Sequence, residues 1–405
     1  FVSAVPSGRL TRRGVTGNRP NRQLAAFDAA GRRGYFPPPM LKRTPFHAFH
    51  VSAGARLVDF AGWEMPLLYQ SVVDEHVQTR TSGSLFDVSH MGRLQFTGPD
   101  AQPFLQRVLT RNVGNQQVGQ SRYSLVCAES GGTLDDVIVS RDANRWLVVC
   151  NASNRDKLVR HFTDLRRKWA MDFDLADQTE ATAMLALQGP RVIEKLATVV
   201  PGDLRALKRY HFQTVDMLLV KATVFRSGYT GEDGVEIVLP ATVASLAMKM
   251  LGGRFDPPDA TIKPAGLAAR DTLRLEAGMP LYGHELTEAI DPLSAGLGWA
   301  VDLAKDFVGV EALRRIHADG PKRRLVGLEL DGRRIARQGS AVLLHGAAVG
   351  EVTSGTLSPT LHKSIAMAYV DTACSAEGTP LAVDLKGQTG QAKIVKLPFY
   401  RRPAQ

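Results

Sequence analysis

The chain runs to 405 residues, 44% of them hydrophobic and 7% aromatic, with a net charge of +10. That length calls for two or three packed domains, and no run approaches the ~18 apolar residues of a membrane span. Residues 1–40 hold seven arginines against one acid, Asp28, which leaves only +4 for the body of the chain, too little to mark it as a nucleic-acid binder.

In residues 1–40 the arginines stand among Ser, Thr and Ala and almost without acids. That is the composition of a mitochondrial transit peptide, so a matrix location is expected. The first residue is Phe1 and not Met, which suggests that a longer precursor precedes it. Phe36-Pro37-Pro38-Pro39 closes the segment, because proline cannot continue a helix. Cys127, Cys150 and Cys374 are isolated and odd in number. They have no metal-ligand spacing and point to a reducing compartment.

Ser71 to Thr81 has helical spacing and stops before Gly83. Leu85–Gly92 reads as a strand running into a turn, and its His90 reads as a satisfied structural histidine, with no Ser or Cys nucleophile beside it. A short helix follows around Ala101–Leu109. Tyr123–Cys127 reads as a strand. Gly131-Gly132 makes a tight turn that places Asp135 and Asp136 at the entry of a β-branched strand, Val137–Val139. Neighbouring strand side chains alternate in face, so only one of the two carboxylates can address a given pocket. A carboxylate held against apolar surroundings keeps a raised proton affinity, useful beside a substrate amine. The bland reading is that both Asp residues satisfy turn amides.

Trp146–Cys150 reads as a further strand, Asn151–Asn154 as a helix cap and Arg155–Trp169 as the helix it opens. Met184–Pro190 is a strand ending in a Gly-Pro break. Arg226–Glu236 carries Gly228, Gly231 and Gly234 in a Gly-x-x-Gly-x-x-Gly spacing, which fits neither a dinucleotide loop nor a P-loop. With Tyr229 for stacking and Glu236 as an acceptor, this loop suits a flat, amide-like heterocycle; a glycine-decorated hairpin is the bland alternative. Ala265–Glu276 reads as a helix with Arg270 and Arg274 on one face, either solvated or, for one of them, binding a ligand carboxylate. After Ala318-Asp319-Gly320-Pro321, short alternating strands from Leu325 to Leu385 fit a small β-barrel or jelly roll. The tail Lys396–Arg401 returns toward the body. The whole is expected to be α+β, with residues 41–318 as two interleaved α+β domains and 319–405 as the barrel.

Seven motifs, Asp59–Pro66, Leu85–Gly92, Gly131–Asp136, Ala186–Pro190, Ser227–Glu236, Ala265–Gly283 and Thr353–Thr360, together resemble the aminomethyltransferase (T-protein) family of the glycine cleavage system, in order and spacing from about Lys42 to Arg401. Arg93 departs from the acid or Gln common at its place, and Asp256–Asp259 looks like a short insertion. The resemblance implies a three-domain cloverleaf with tetrahydrofolate in a central channel and a lipoylated H-protein as partner. It also implies a reaction that moves the methylene group from aminomethyl-lipoyl H-protein to the folate and releases ammonia. On the motif positions, Asp136 falls on the essential aspartate, Glu236 on the pterin-binding glutamate, Tyr229 on the loop aromatic and Arg270 on a folate-contacting arginine. Tyr123, Asn151, Tyr210 and Tyr400 match pocket positions. Positioning and proton management are the chemistry required, with no metal and no covalent nucleophile.

Two alternatives share the folate channel: a demethylase of a small methylated compound, and a non-catalytic folate-binding assembly factor. The latter relatives carry Lys-Gly-Cys-Tyr, whereas Arg226-Ser227-Gly228-Tyr229 stands here. No flavin-binding Gly-x-Gly-x-x-Gly segment precedes residue 41, which disfavours a dehydrogenase fusion.

Overall fold

The computed structural model describes residues 40–403, apart from 199, 218–219 and 253–260. The arginine-rich leader, except for Met40, and the Asp256–Asp259 segment therefore lie outside the described residues. Among the described residues a small three-stranded sheet, ordered Lys42–Arg43, Trp63–Leu68 and Arg56–Phe60, accompanies three larger β assemblies. The first is a six-stranded sheet ordered Phe212–Met217, Val220–Phe225, Gly234–Pro240, Thr182–Gln188, Ser84–Asp87 and Lys263–Pro264. The second is a five-stranded antiparallel sheet ordered Ser121–Cys127, Thr133–Arg141, Trp146–Cys150, Gly92–Thr97 and Asp174–Asp177. The third is a closed barrel of six strands between Arg323 and Val395.

The chain alternates between the first two sheets. It leaves the first at Asp87, enters the second at Gly92 and returns to the first at Thr182. Each assembly buries its own core. Leu185, Val224 and Ile237 fill the first, Leu94, Phe104 and Phe162 the second, and Leu328, Ala366 and Val383 the barrel. Between the sheets, Phe86, Val149, Met184 and Ala186 pack against Ala269 and Leu273 of the helix Leu267–Glu276. The same helix reaches the barrel through Leu275, which meets Ile365 and Met367.

That helix also carries a buried polar hub. The helix Val72–Thr81, capped by the Ser71 side chain on the Asp74 amide, brings His76 and Arg80 to it. His76 Nδ1 lies 2.7 Å from Thr272 Oγ1, and its Nε2 lies 3.1 Å from Glu276 Oε2. Arg80 Nη2 donates to Glu276 Oε2 at 2.9 Å and Arg80 Nη1 to Glu232 Oε1 at 2.9 Å. From the barrel, the Ser358 hydroxyl and the Thr360 amide and hydroxyl donate to the same Glu276 carboxylate. Burial would raise this carboxyl. Hydrogen bonding from His76 and Ser358 and the charges of His76 and Arg80 outweigh that and hold it at about 2.

Most expected elements formed within a residue or two of their expected bounds, and the barrel form holds over the jelly roll; the strand expected at Val137–Val139 instead runs from Thr133 to Arg141, so Asp135 and Asp136 lie inside it and not at its entry. The exception in character is Asn151–Asn154. It begins with a short 3-10 turn, Ala152–Asn154, and neither asparagine side chain caps the helix Arg155–Lys168. Both amides are used elsewhere.

Candidate active site

The strand Thr133–Arg141 delivers the Asp pair, and the turn before it requires both glycines. Gly131 has φ +88°, and a Cβ on Gly132 would stand 1.8 Å from the Glu288 carbonyl oxygen. Asp135 is fully buried, but it does not serve that turn. It accepts from the Asn151 amide N–H at 3.0 Å, from Asn151 Nδ2 at 2.8 Å and from Asn154 Nδ2 at 2.6 Å. Asp136 is partly exposed; it accepts from Asn151 Nδ2 at 2.8 Å and from the Tyr123 hydroxyl at 3.1 Å. The two carboxylates leave opposite faces of the strand, yet one amide nitrogen, Asn151 Nδ2, reaches both.

No arginine, lysine or histidine is paired with either carboxylate among the described residues. Burial and the adjacent Asp136 charge push Asp135 up, against the donors of Asn154 and Asn151. Burial likewise raises Asp136, against Asn151 and Tyr123. Two carboxylates in one dry site resist ionising together, so the pair keeps a proton well above the usual carboxylate range. Burial, then the Asp136 charge and hydrogen bond, drives the Tyr123 hydroxyl far above its ordinary value, so it stays a donor.

The glycine-spaced loop faces this pair. Its close approaches are to the protein itself: a Cβ on Gly228 would meet Gln188 Oε1 at 1.8 Å, and one on Gly234 the Leu187 carbonyl at 2.1 Å. Gln188 holds the loop through the Ser227 carbonyl at 3.0 Å and Thr230 Oγ1 at 3.1 Å. Arg226 clamps its base with two bonds to Asp233, at 2.9 and 2.6 Å. Thus fixed, Tyr229 donates to the Pro280 carbonyl, and Ser227 Oγ to Glu236 Oε2, both at 2.5 Å. Burial raises the Tyr229 hydroxyl, Arg274 opposes that, and the Asp136 charge adds to it. The loop and the Asp pair therefore share one electrostatic space.

The two helix arginines part company. Arg274 is consumed by the protein, bonding Asp271, Glu285 and Ser354 at 2.8 Å each. The Arg270 guanidinium lies 5.0 Å from the Tyr229 ring centre, and its buried Nη1 has no hydrogen-bond partner. Burial lowers its proton affinity while Glu236 and Tyr229 act to restore it. A buried arginine donor without an acceptor costs about 1–3 kcal/mol or more, which an anionic or carbonyl-bearing ligand would recover. His90 departs from the satisfied histidine expected: its buried Nδ1 also lacks a partner, and burial first, with Arg270 and Arg93 adding, brings it down to about 4. It is neutral at physiological pH.

The remaining expected residues are placed differently. Tyr400 lies against Arg80, 4.0 Å from guanidinium to ring centre, and its amide donates to the Glu276 carbonyl at 2.8 Å. Tyr210, at φ +58°, joins the sheets through its backbone, accepting from the Ser121 amide and donating to the Arg226 carbonyl. Its ring meets Arg209. All eight expected residues, Tyr123, Asp136, Asn151, Tyr210, Tyr229, Glu236, Arg270 and Tyr400, are partly exposed. The roles of Asn154, Ser227 and Gln188 were not foreseen, and His90 was expected to be satisfied. Only the Asn-x-x-Asn spacing after a strand hinted at the first.

Residues 46–305 match the GCVT N-terminal domain family, and residues 323–401 the C-terminal barrel domain of the glycine cleavage T-protein. An aminomethyltransferase of Rubrobacter xylanophilus is 50% identical over 366 residues, spanning 89% of this chain and 95% of that protein. The aminomethyltransferase of Bacillus subtilis is 42% identical over 368 residues, spanning 90% of this chain and 100% of its relative. The crystal structure of glycine cleavage system aminomethyltransferase T from Bartonella henselae is 37% identical and superposes with a TM-score of 0.82, covering 89% of this chain and 99% of that one. The asparagine-bridged Asp pair, the clamped aromatic loop and the barrel thus stand in a chain that belongs to the glycine cleavage T-protein family, the aminomethyltransferases.

Proposed function

We propose that this aminomethyltransferase takes its one-carbon group from a lipoyl-borne aminomethyl on H-protein, passes it to tetrahydrofolate at Asp136 and works in the mitochondrial matrix. The single observation that supports the site assignment is the unpartnered Arg270 donor beside the Tyr229 ring, which feels the charge of Asp136 on one side while Arg270 feels that of Glu236 on the other. The orphaned Arg270 donor and the Glu236 acceptor, either side of an aromatic face, fit a folate. Glu236, oriented by Ser227, would accept N–H groups of a pterin edge, and Arg270 would donate to an anionic or carbonyl group. Tetrahydrofolate supplies the amine that takes up the methylene.

At the chemistry, Asp136 stabilises the positive charge that the folate amine gains as it attacks, and can take its proton. The Tyr123 hydroxyl and the Asn151 amide fix its two oxygens, so a reacting amine meets an oriented carboxylate and not a rotating one. The proton retained by the Asp135–Asp136 pair gives the site an acid form as well as a base form near neutrality, which suits loss of ammonia from one side and of a proton from the other. Glu236 lies on a separate strand from this pair, so binding and proton handling fall to different carboxylates.

The reading is tested by ammonia release from aminomethylated H-protein with and without tetrahydrofolate. Release that ignores folate, or folate-dependent demethylation of a small amine with no response to H-protein, removes it. The body's residual positive charge supports an acidic partner, so the H-protein KM should rise with salt. The arginine-rich leader supports matrix import; residues 1–40 fused to a fluorescent reporter should carry it into mitochondria, and a diffuse cytosolic signal refutes that.

A further inference from the structure

Trp299 stands out among the large apolar side chains because it is 59% exposed yet aromatic-stacked. It lies in the short turn Gly298–Ala300, and its ring packs on Tyr123 with centroids 5.4 Å apart and planes at 26°. The turn is pinned from the other side: the Thr110 hydroxyl donates to the Ala300 carbonyl at 2.8 Å, and Arg111 Nη1 donates to the Trp299 carbonyl at 2.5 Å. The Arg111 guanidinium also lies 5.7 Å from the indole. Backbone anchoring of this kind fixes where the indole stands without burying it. An indole kept more than half in solvent gains little from the hydrophobic effect, so its stacking face is the contact that accounts for its position.

That face rests on one ring, and the hydroxyl of the same ring donates to Asp136 at 3.1 Å. Tyr123 has two soft torsions, and its strand leaves the ring partly exposed. Without a neighbour on its open side, the ring could swing and take its hydroxyl off the carboxylate. We propose that Trp299 is a positioning residue that holds Tyr123, and through the Tyr123 hydroxyl holds Asp136, in the orientation the transfer requires. The contact runs from solvent to the reacting carboxylate in two steps, Trp299 to Tyr123 and Tyr123 to Asp136. Trp299 itself holds no proton and need touch no reacting atom.

The inference rests on the assignment of Asp136 as the reacting carboxylate, and the two fail separately. If Asp136→Asn keeps full turnover, the assignment falls whatever Trp299 does. For Trp299, the test is a double-mutant cycle of Trp299→Leu and Tyr123→Phe, read as kcat for ammonia release at saturating tetrahydrofolate and aminomethylated H-protein. Trp299→Leu should lower kcat about 3- to 10-fold, the size of one aromatic pair, with the folate KM nearly unchanged. Trp299→Phe should restore most of the loss. In the Tyr123→Phe background, Trp299→Leu should cost nothing further, because no hydroxyl remains to be held. An equal loss in both backgrounds, or a change confined to a KM, overturns the proposal. If the leucine variant melts early, Trp299→Phe and Trp299→His in the same cycle keep the comparison, since both retain a flat face of different size.

Discussion

Two of the buried carboxylate clusters among the described residues are wired in opposite ways. Glu276 is met by Arg80, by His76 and by hydroxyls from the barrel, and its carboxyl is held at about 2. Asp135 and Asp136 are met only by amides and a phenol, and burial with mutual repulsion pushes the pair upward. Desolvation acts on both; what differs is whether a cation answers it. A carboxylate given cations becomes a permanent anion and a structural tie. One given only neutral donors keeps its geometry but stays able to exchange a proton. On the proposed assignment, the molecule separates tying its larger assemblies together from doing chemistry, although both tasks use buried acids.

The comparison can be broken from the chemical side first. Asp136→Asn keeps shape and removes charge, so turnover at saturating folate should drop by about 10²–10⁴ while folate still binds and the melting temperature hardly moves. If ammonia release survives and Asp135→Asn is instead the inactive variant, the two residues of the pair have been assigned the wrong way round.

Glu276→Ala should act the other way. It leaves Arg80 buried without one of its two carboxylates, so about 3–5 kcal/mol of stability should be lost, read as a lower urea midpoint. The fraction that remains folded should turn over at nearly the parent rate. A stable but inactive variant would place Glu276 in the chemistry and erase the distinction.

Glu236→Gln tests a third acid, bound to neither cluster. Removing a charge-assisted acceptor should weaken folate binding by roughly 1.5–3 kcal/mol, about 10- to 100-fold in Kd, with less effect on bound-state turnover. An unchanged Kd in a calorimetric titration would return Glu236 to the hairpin.

The smallest expected effect sharpens the contrast through pH. The folded Asp135 holds its proton up toward about 8, from an ordinary value of 3.8. The stability this confers is complete below the ordinary value and is lost as pH rises through the folded one. Glu276 runs oppositely: from an ordinary 4.5 down to about 2, its contribution is present above the ordinary value and is lost as pH falls through the folded one. Denaturant midpoints of Asp135→Asn against the parent should therefore converge as pH climbs from about 5 to about 8. Parallel lines would mean that the pair does not share a proton.

Much of the site could be read from the chain because its parts are local. The Gly131-Gly132 turn, the Asp pair and the apolar strand follow one another in ten residues, and the loop from Ser227 to Glu236 carries its aromatic and its acid together. The alternation rule was right about the faces and silent about Asn151, whose amide spans them from just past the end of the neighbouring strand Trp146–Cys150. Asn154 and Asn151 looked like caps since capping is the commonest local use of such residues; only the folded sheet shows that Asp135 claims them. The hub was illegible for a different reason. His76 and Glu276 are separated by 200 positions, and nothing in either neighbourhood marks them as partners. The helix Val310–Asp319 and the strand Thr389–Val395 were not anticipated: the helix ends in the Ala318–Pro321 turn, and the strand lies beyond the last strand expected, which ended at Leu385.

Glu276 has one more consequence, for how the molecule opens. Its side chain accepts the amide of Thr360 and its backbone carbonyl the amide of Tyr400, two residues from different stretches of the C-terminal region. Amide hydrogens at these positions cannot exchange with solvent unless the helix end that covers them lets go, so their exchange should slow and quicken together as a single opening unit. A protease probing the tail and one probing the Ser358–Thr360 turn should then report the same event, the C-terminal barrel and its tail detaching from the rest in one motion.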